Sequence, residues 1–547
     1  MKLKEIRFSC TIGGAPFSVS TLKDVRADGI ALTVRYEDGV LTTAVDVETD
    51  EEVIIERLYA VFETVYGEDD RIFLNGYESW TDSYEHGIRD RMRGLDHLPR
   101  FIIDKYAFDR YGDYGFVTYP NTRGMLHGFS YGYVRSGRRF RFVGSLSEDS
   151  GFTILRTDTE RGLLTAEKDC TGLHVAGHWD GLCLLTCEGS EAEVFDRWQA
   201  MLGVQVRPEA KPLFGYTSWY RHYPNISEDI LLGDLAAMQA LPHRADVFQV
   251  DDGYQTAVGD WLSVDADKFP NGMAAVAAAI RAAGMTPGLW MAPFAAEETS
   301  VVFQVHPDWF VKDANGDPLK GGSNWSGFYC LDIYHDEVRA YLRDVFRTVT
   351  QAWGYGLLKL DFLYAACILP RHDKTRGQVM ADAMAFLREI AGDALLLGCG
   401  VPLASAFGRV DYCRIGCDVS LDWDDKPHMR LMHRERVSTR TTILDSVFRR
   451  QLNGRMFWND PDVFLLRDGQ TSLTGEQKQA LGTVNALTGG VLFTSDDVAS
   501  YTEAQSRFLA RMLRLREAEV VSAEISGGLL KLRYRLEGRL VSKVIPL

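Results

Sequence analysis

The chain has 547 residues, too many for one ordinary domain, and its 46% apolar and 25% charged residues are the profile of a folded protein with a large core. Its formal charge of −16 is spread along the sequence, so there is no basic stripe of the kind nucleic acid or an anionic membrane surface requires. No apolar run nears the roughly 18 residues that span a bilayer, and the opening MKLKEIRFSC meets charge before a signal-peptide core can form. The nine cysteines, Cys10 to Cys417, are odd in number and contain no CxxC pair, which reads as reduced thiols in a cytoplasmic protein.

Residues 1–205 are predicted to be a β-sandwich. Leu32, Val34 and Tyr36 alternate with Thr33 and Arg35, and Glu37-Asp38-Gly39 then supplies a turn, the pattern of a half-buried hairpin. The region is rich in Gly, Thr, Tyr and Arg and shows no long helical period.

The texture changes near Lys211-Pro212. Short apolar strands now alternate with amphipathic helices, predicting βα units around a parallel sheet. Eight strands can be counted: 214–219, 247–251, 286–291, 357–362, 395–399, 412–416, 456–458 and 491–494. Val338, Leu342, Val345 and Val349 form one buried helical stripe. Thr474-x-x-Gln477 and Thr502-x-x-Gln505 are capping boxes that open two further helices. Residues 206–517 therefore read as an α/β domain, a (β/α)8 TIM barrel. The last segment, 518–547, returns to β: Leu530, Leu532, Tyr534 and Leu536 alternate with Lys531, Arg533 and Arg535.

A TIM barrel builds its active site at the C-terminal ends of its strands, and this sequence gathers polar residues there. Trp219 closes strand one, Asp251-Asp252 strand two and Trp290 strand three. Lys359 and Asp361 end strand four, Cys399 strand five, and Arg414 with Asp418 strand six. Asn459-Asp460 and Asp496-Asp497 end the last two. Paired aspartates suit sugar hydroxyls, and tryptophans suit the apolar face of a pyranose. Two carboxyls across the mouth, Asp361 and Asp418, suit glycosidic cleavage, in which one attacks or positions water and the other donates a proton. Lys359 shares a strand side with Asp361, and its charge is expected to hold that carboxyl ionised. Asp418, as an acid, is expected to keep its proton through burial or nearby negative charge.

The same residues have plainer readings. Asp251-Asp252 also fits a solvated strand end or half a metal site, although no HExxH or histidine cluster supports a metal. Lys359 also fits a Schiff-base lyase. Trp80, Trp219 and Trp290 also fit ordinary core. Asn459-Asp460-Pro461-Asp462 reads as structural support, and Asp422, Asp424 and Asp425 as a solvated loop.

The ordered motifs GYTSWY (215–220), FQVDDGYQTAVGDWL (248–262), PGLWMAPF (287–294), LLKLDFLYA (357–365), LLGCGVPL (396–403), RIGCD (414–418) and FWNDPDVFLLR (457–467), with NGYESW (75–80) in the first region, resemble glycoside hydrolase family 36, the bacterial α-galactosidases. The resemblance implies Asp361 as nucleophile and Asp418 as acid/base. It implies Asp251 and Asp252 on the 4- and 6-hydroxyls of galactose, Lys359 and Arg414 on ring hydroxyls, and Cys399 near the 2-position. Trp219 and Trp290 would line the pocket, with Trp80 lent by the N-terminal domain. The implied layout is a sandwich, the barrel and a C-terminal β-domain that is here shorter than the family usually carries. The implied reaction is hydrolysis of terminal α-galactosides of oligosaccharides with retention, without cofactor or metal. An α-N-acetylgalactosaminidase and a sugar-binding protein without turnover are the alternatives.

Overall fold

The computed structural model describes residues 1–430 and 433–547. The first region forms two antiparallel sheets, one of six strands and one of eight. Ile6, Phe8 and Cys10 alternate inward along Lys2–Ile12 and share a core with Val134, Leu182 and Leu184 of the other sheet. The expected hairpin pairs Ile30–Glu37 with Val40–Val47. Asp38 at φ 50° and Gly39 at φ 80° turn it, two successive left-handed residues as a twisted hairpin requires.

Two helices interrupt this region where β structure was expected throughout, Arg100–Tyr106 and Glu191–Leu202. The first is only seven residues long. The second buries Val194, Phe195 and Trp198 within little more than one turn, too short a stripe to register as a helical period.

The barrel is a curled sheet of nine parallel strands. In chain order they are β1 (Leu213–Thr217), β2 (Val247–Val250), β3 (Thr286–Met291), β4 (Leu357–Leu360), β5 (Leu395–Gly398), β6 (Tyr412–Arg414), β7 (Trp458–Asp460), β8 (Val463–Phe464) and β9 (Val491–Thr494). The seventh barrel position is thus filled in two pieces: β7 pairs with β6, and β8 pairs with β9. The expected strand at 456–458 lies too early. Met456 and Phe457 belong to a turn, with Gly454 N–H donating to the Phe457 carbonyl at 2.8 Å. The break falls at Pro461, which has no N–H for a ladder, and at Asp462, which takes φ 69°. Strand β1 also ends earlier than expected, so Trp219 opens a short helix, Trp219–His222, instead of closing the strand.

The helices follow their sequence signals. Asp336–Arg347 buries Val338, Leu342 and Val345 completely. Both capping boxes form, at Thr474 and at Thr502. The chain ends in a three-stranded antiparallel sheet, Glu519–Ser526, Leu529–Leu536 and Arg539–Pro546, with Leu530, Leu532 and Tyr534 buried.

One buried arginine joins sandwich to barrel. Arg449 is fully enclosed and donates to Asn75 Oδ1, to the carbonyls of Glu78 and Ser79, and to the Ile415 carbonyl. A guanidinium offers five donors in a rigid fork. Here they fix the NGYESW loop against the end of β6.

Candidate active site

The C-terminal ends of the strands open on a cavity of about 500 Å³, lined by Trp80, Trp219, Asp251, Asp252, Trp290, Lys359, Asp361 and Asp418 among others. That volume is within the range of sites that enclose a drug-sized ligand. Eight of the ten candidates from the sequence therefore meet at one surface, and the remaining two, Cys399 and Arg414, stand directly behind it.

Asp361 follows β4, and its backbone N–H reaches the Met291 carbonyl at 2.8 Å. Its carboxylate accepts from Trp290 Nε1 at 3.1 Å and from the Phe362 N–H at 2.8 Å. Phe362 takes φ 53°, which turns the chain sharply after the carboxylate. The expected downward pull of Lys359 does not prevail. Burial pushes the Asp361 carboxyl above its ordinary value, against the Lys359 charge and the Trp290 hydrogen bond, with Asp418 adding to the rise.

Lys359 is instead committed to Asp251, its Nζ 2.9 Å from Oδ2. Burial draws its pKa down and the Asp251 charge more than restores it, so the ammonium is held above its ordinary range. Asp251 Oδ2 also accepts from Gln249 Nε2 at 2.7 Å and Thr217 Oγ1 at 3.3 Å, while Oδ1 takes the Asp252 N–H at 3.0 Å. Asp252 accepts from Gln255 Nε2 at 2.5 Å and Trp325 Nε1 at 2.9 Å, and burial raises its carboxyl. This dense set of partners removes the solvated-strand-end reading of the pair. Among the described residues no cluster of three or more His, Cys, Asp or Glu could hold a metal.

Asp418 departs from expectation. Burial does not enclose it: its side chain is 43% exposed at the mouth and accepts from Arg414 Nη1 at 2.7 Å. Arg414 is buried, and its guanidinium reaches two further carboxylates, Asp460 at 3.3 Å through Nε and Asp462 at 3.0 Å through Nη2. Asp462 in turn accepts from the Val419 N–H at 2.8 Å, immediately after Asp418, and from the Tyr220 hydroxyl. Asp460 and Asp462 thus hold Arg414, and Arg414 holds Asp418. The loop that follows is not the solvated one expected. Asp422 lines the cavity, and Asp424 is 11% exposed and bound to Arg436 at 3.0 Å; only Asp425 is exposed.

Trp80 arrives from the sandwich. Its Nε1 is 3.1 Å from Cys399 Sγ, and its ring meets Phe362 edge-on at 5.2 Å. Gly400, at φ 57°, admits it: a Cβ there would stand 2.7 Å from the indole. Ser79 closes the joint, its N–H donating to the Val401 carbonyl and its Oγ accepting from the Gly400 N–H, each at 2.9 Å. Burial pushes the Cys399 thiol well above its ordinary value, so it stays protonated.

Sequence reasoning missed Trp325, which donates to Asp252 and packs on Trp290 at 5.9 Å and Phe362 at 4.9 Å. The available signal was a lone aromatic in the Gly/Ser/Asn loop GGSNWSG. Tyr111, His433 and Glu435 were also missed; they line the outer cavity from segments with no strand or helix pattern.

The melibiase family model matches residues 207–380. Over 200 residues the chain is 30% identical to an A type blood α-D-galactosamine galactosaminidase of Flavonifractor plautii, covering 32% of this chain and 18% of that protein. Over 101 residues it is 31% identical to an α-galactosidase of Escherichia coli, covering 17% of this chain and 14% of the relative. The matched stretches therefore span less than a fifth of either relative. Among solved structures, an α-galactosidase of Thermus thermophilus in complex with p-nitrophenyl α-D-galactopyranoside superposes with a TM-score of 0.73, at 28% identity and over 98% of both chains.

Proposed function

We propose that the chain, which matches the melibiase family model over residues 207–380 and superposes on an α-galactosidase, is a retaining glycosidase acting on terminal α-galactosides of oligosaccharides. The observation that carries the reading is that Asp361 and Asp418 enter one sugar-sized cavity with different surroundings. Asp361 is buried and oriented by two N–H donors, whereas Asp418 sits at the mouth on an arginine.

In this mechanism the Asp361 carboxylate attacks the anomeric carbon as Asp418 protonates the departing glycosidic oxygen. The glycosidic bond breaks and a galactosyl ester forms on Asp361. Asp418, now ionised, takes a proton from water as it attacks the same carbon, giving galactose with net retention. Each carboxyl ends as it began, and no cofactor or metal takes part. Asp251, Asp252, Lys359 and Trp325 would hold ring hydroxyls, and Trp80, Trp219 and Trp290 would supply the apolar walls.

The paired state of Lys359 argues against a Schiff-base lyase, since that chemistry needs a neutral amine and Asp251 keeps this one charged. A second reading, cleavage of an α-galactosaminide or its N-acetyl derivative, is favoured by the Flavonifractor relative. We keep the three-part division at 205/206 and 517/518 and a cytoplasmic site of action; among the described residues no helix is long and apolar enough to cross a membrane.

The deciding test is hydrolysis of nitrophenyl α-galactoside and nitrophenyl α-N-acetylgalactosaminide by wild type and Asp361→Ala. Turnover of the galactoside alone, lost in the variant, is the expected result. Equal activity of the two proteins would overturn the assignment of Asp361, and turnover of only the acetamido sugar would replace the substrate.

A further inference from the structure

The short helix after β1 ends on Tyr223, an aromatic residue at φ 50° and ψ −141°. A bulky side chain at positive φ is strained and persists only where its surroundings over-determine it. Those surroundings can be identified. Gly253, at φ 120°, lies so close to the segment that a Cβ there would stand 2.5 Å from the Pro224 carbonyl oxygen. Lys268 Nζ ties the Pro224 and Gly253 carbonyls together, each at 3.1 Å. The Tyr223 N–H donates back to the Trp219 carbonyl at 2.6 Å. The turn that follows Asp251 and Asp252 thus clamps the segment that holds Tyr223.

The strain fixes where the ring stands. It meets Trp219 edge-on, with centroids 5.3 Å apart and planes at 79°, so it continues outward from a residue that lines the cavity. Tyr223 itself is 39% exposed. Among the described residues its hydroxyl has no hydrogen-bond partner. Burial raises the phenol, so the hydroxyl stays protonated and able to donate.

We propose that Tyr223 is a specificity-determining contact for the leaving group. Its ring extends the Trp219 wall past the galactosyl position, and its hydroxyl hydrogen-bonds a hydroxyl of the second sugar. The inference rests on the reading of Asp418 as proton donor. It implies a substrate whose leaving group is itself a sugar, and the same contact would receive an acceptor sugar in the second step.

The test compares kcat/KM for an α-galactosyl-(1→6)-glucose disaccharide with that for α-galactosyl fluoride, which has no leaving sugar. Variants are Tyr223→Phe and Tyr223→Gly; glycine adopts positive φ without strain, so its Tm is expected at or above wild type. The disaccharide-to-fluoride ratio should fall about tenfold in Tyr223→Phe, the loss of one good hydrogen bond, and further in Tyr223→Gly. A ratio unchanged in both variants would overturn the proposal. Failure of the wild type to hydrolyse the fluoride would overturn the glycosidase reading, and this proposal with it.

Discussion

Lys359 Nζ lies 2.9 Å from Oδ2 of Asp251, across β3 from its own strand, although Asp361 is only two residues further along the chain. The cation therefore neutralises the carboxylate proposed to bind the sugar, and Asp361, the proposed nucleophile, is hydrogen-bonded by Trp290 and the Phe362 N–H. The direct ion pair thus goes to Asp251, and Asp361 keeps hydrogen-bond donors in a buried setting that still raises its carboxyl.

Removing one member of that ion pair leaves a buried charge without its partner, at a cost of about 3–5 kcal/mol. Lys359→Met should lose stability of that order in chemical denaturation and raise KM for the galactoside. The double variant Lys359→Met/Asp251→Asn should recover much of the stability and none of the activity, because the sugar contacts stay broken. Equal stability of the single and double variants would show that the pair is not coupled.

The raised pKa of Asp361 has a worked sign. Its folded value lies above the unfolded one, so at neutral pH the ionised carboxylate works against folding. That penalty fades as pH falls through the folded value and is absent below the unfolded one. Asp361→Asn should therefore be at least as stable as wild type at pH 7, with a Tm difference that shrinks on acidification. The acid limb of the wild-type kcat/KM profile should lie above the ordinary aspartate value of 3.8. A variant less stable at pH 7 than at pH 4, relative to wild type, would contradict this.

Asp418 should reveal itself through the leaving group. General acid catalysis contributes about 10²- to 10⁴-fold, and a departing nitrophenolate needs little of it. Asp418→Asn should thus lose far more kcat/KM on a galactosyl disaccharide than on the nitrophenyl galactoside. Equal losses on both would remove the proton-donor role.

Trp325 is held at φ 53° with its Nε1 2.9 Å from Asp252 Oδ2. Trp325→Phe keeps an aromatic wall and deletes that donor, leaving Asp252 to Gln255. KM for the galactoside should rise several-fold with kcat affected less. A change confined to kcat would place the indole's role in the chemical step instead.

Much of this was legible before any coordinates. The barrel strands show as short apolar runs with charged ends, which locates Asp251 and Asp361, and period-2 alternation puts Lys359 on the same side of its strand as Asp361. The capping boxes at Thr474 and Thr502 give local geometry directly. Strand seven was misplaced because Met456-Phe457-Trp458 is as apolar as a strand but turns on Gly454. The ion pairing was misjudged because residues sharing a strand side are near in sequence, while Lys359 finds a better partner two strands away. Trp325 and Tyr223 escaped because positive φ in an aromatic residue is decided by neighbours such as Gly253 and Pro224, and no local pattern announces it.

The divided seventh strand has a consequence for the surroundings of Asp418. The join sets β7 on β6 and β8 on β9, and the break between them projects Asp462 onto Arg414 and onto the Val419 N–H beside Asp418. The same break that divides the seventh position therefore fixes the residues on either side of Asp418. Loss of that join would take the Asp462 carboxylate from Arg414 and the anchor from the Val419 N–H, while the Lys359–Asp251 pair, built on β4 and the end of β2, would keep its own contacts.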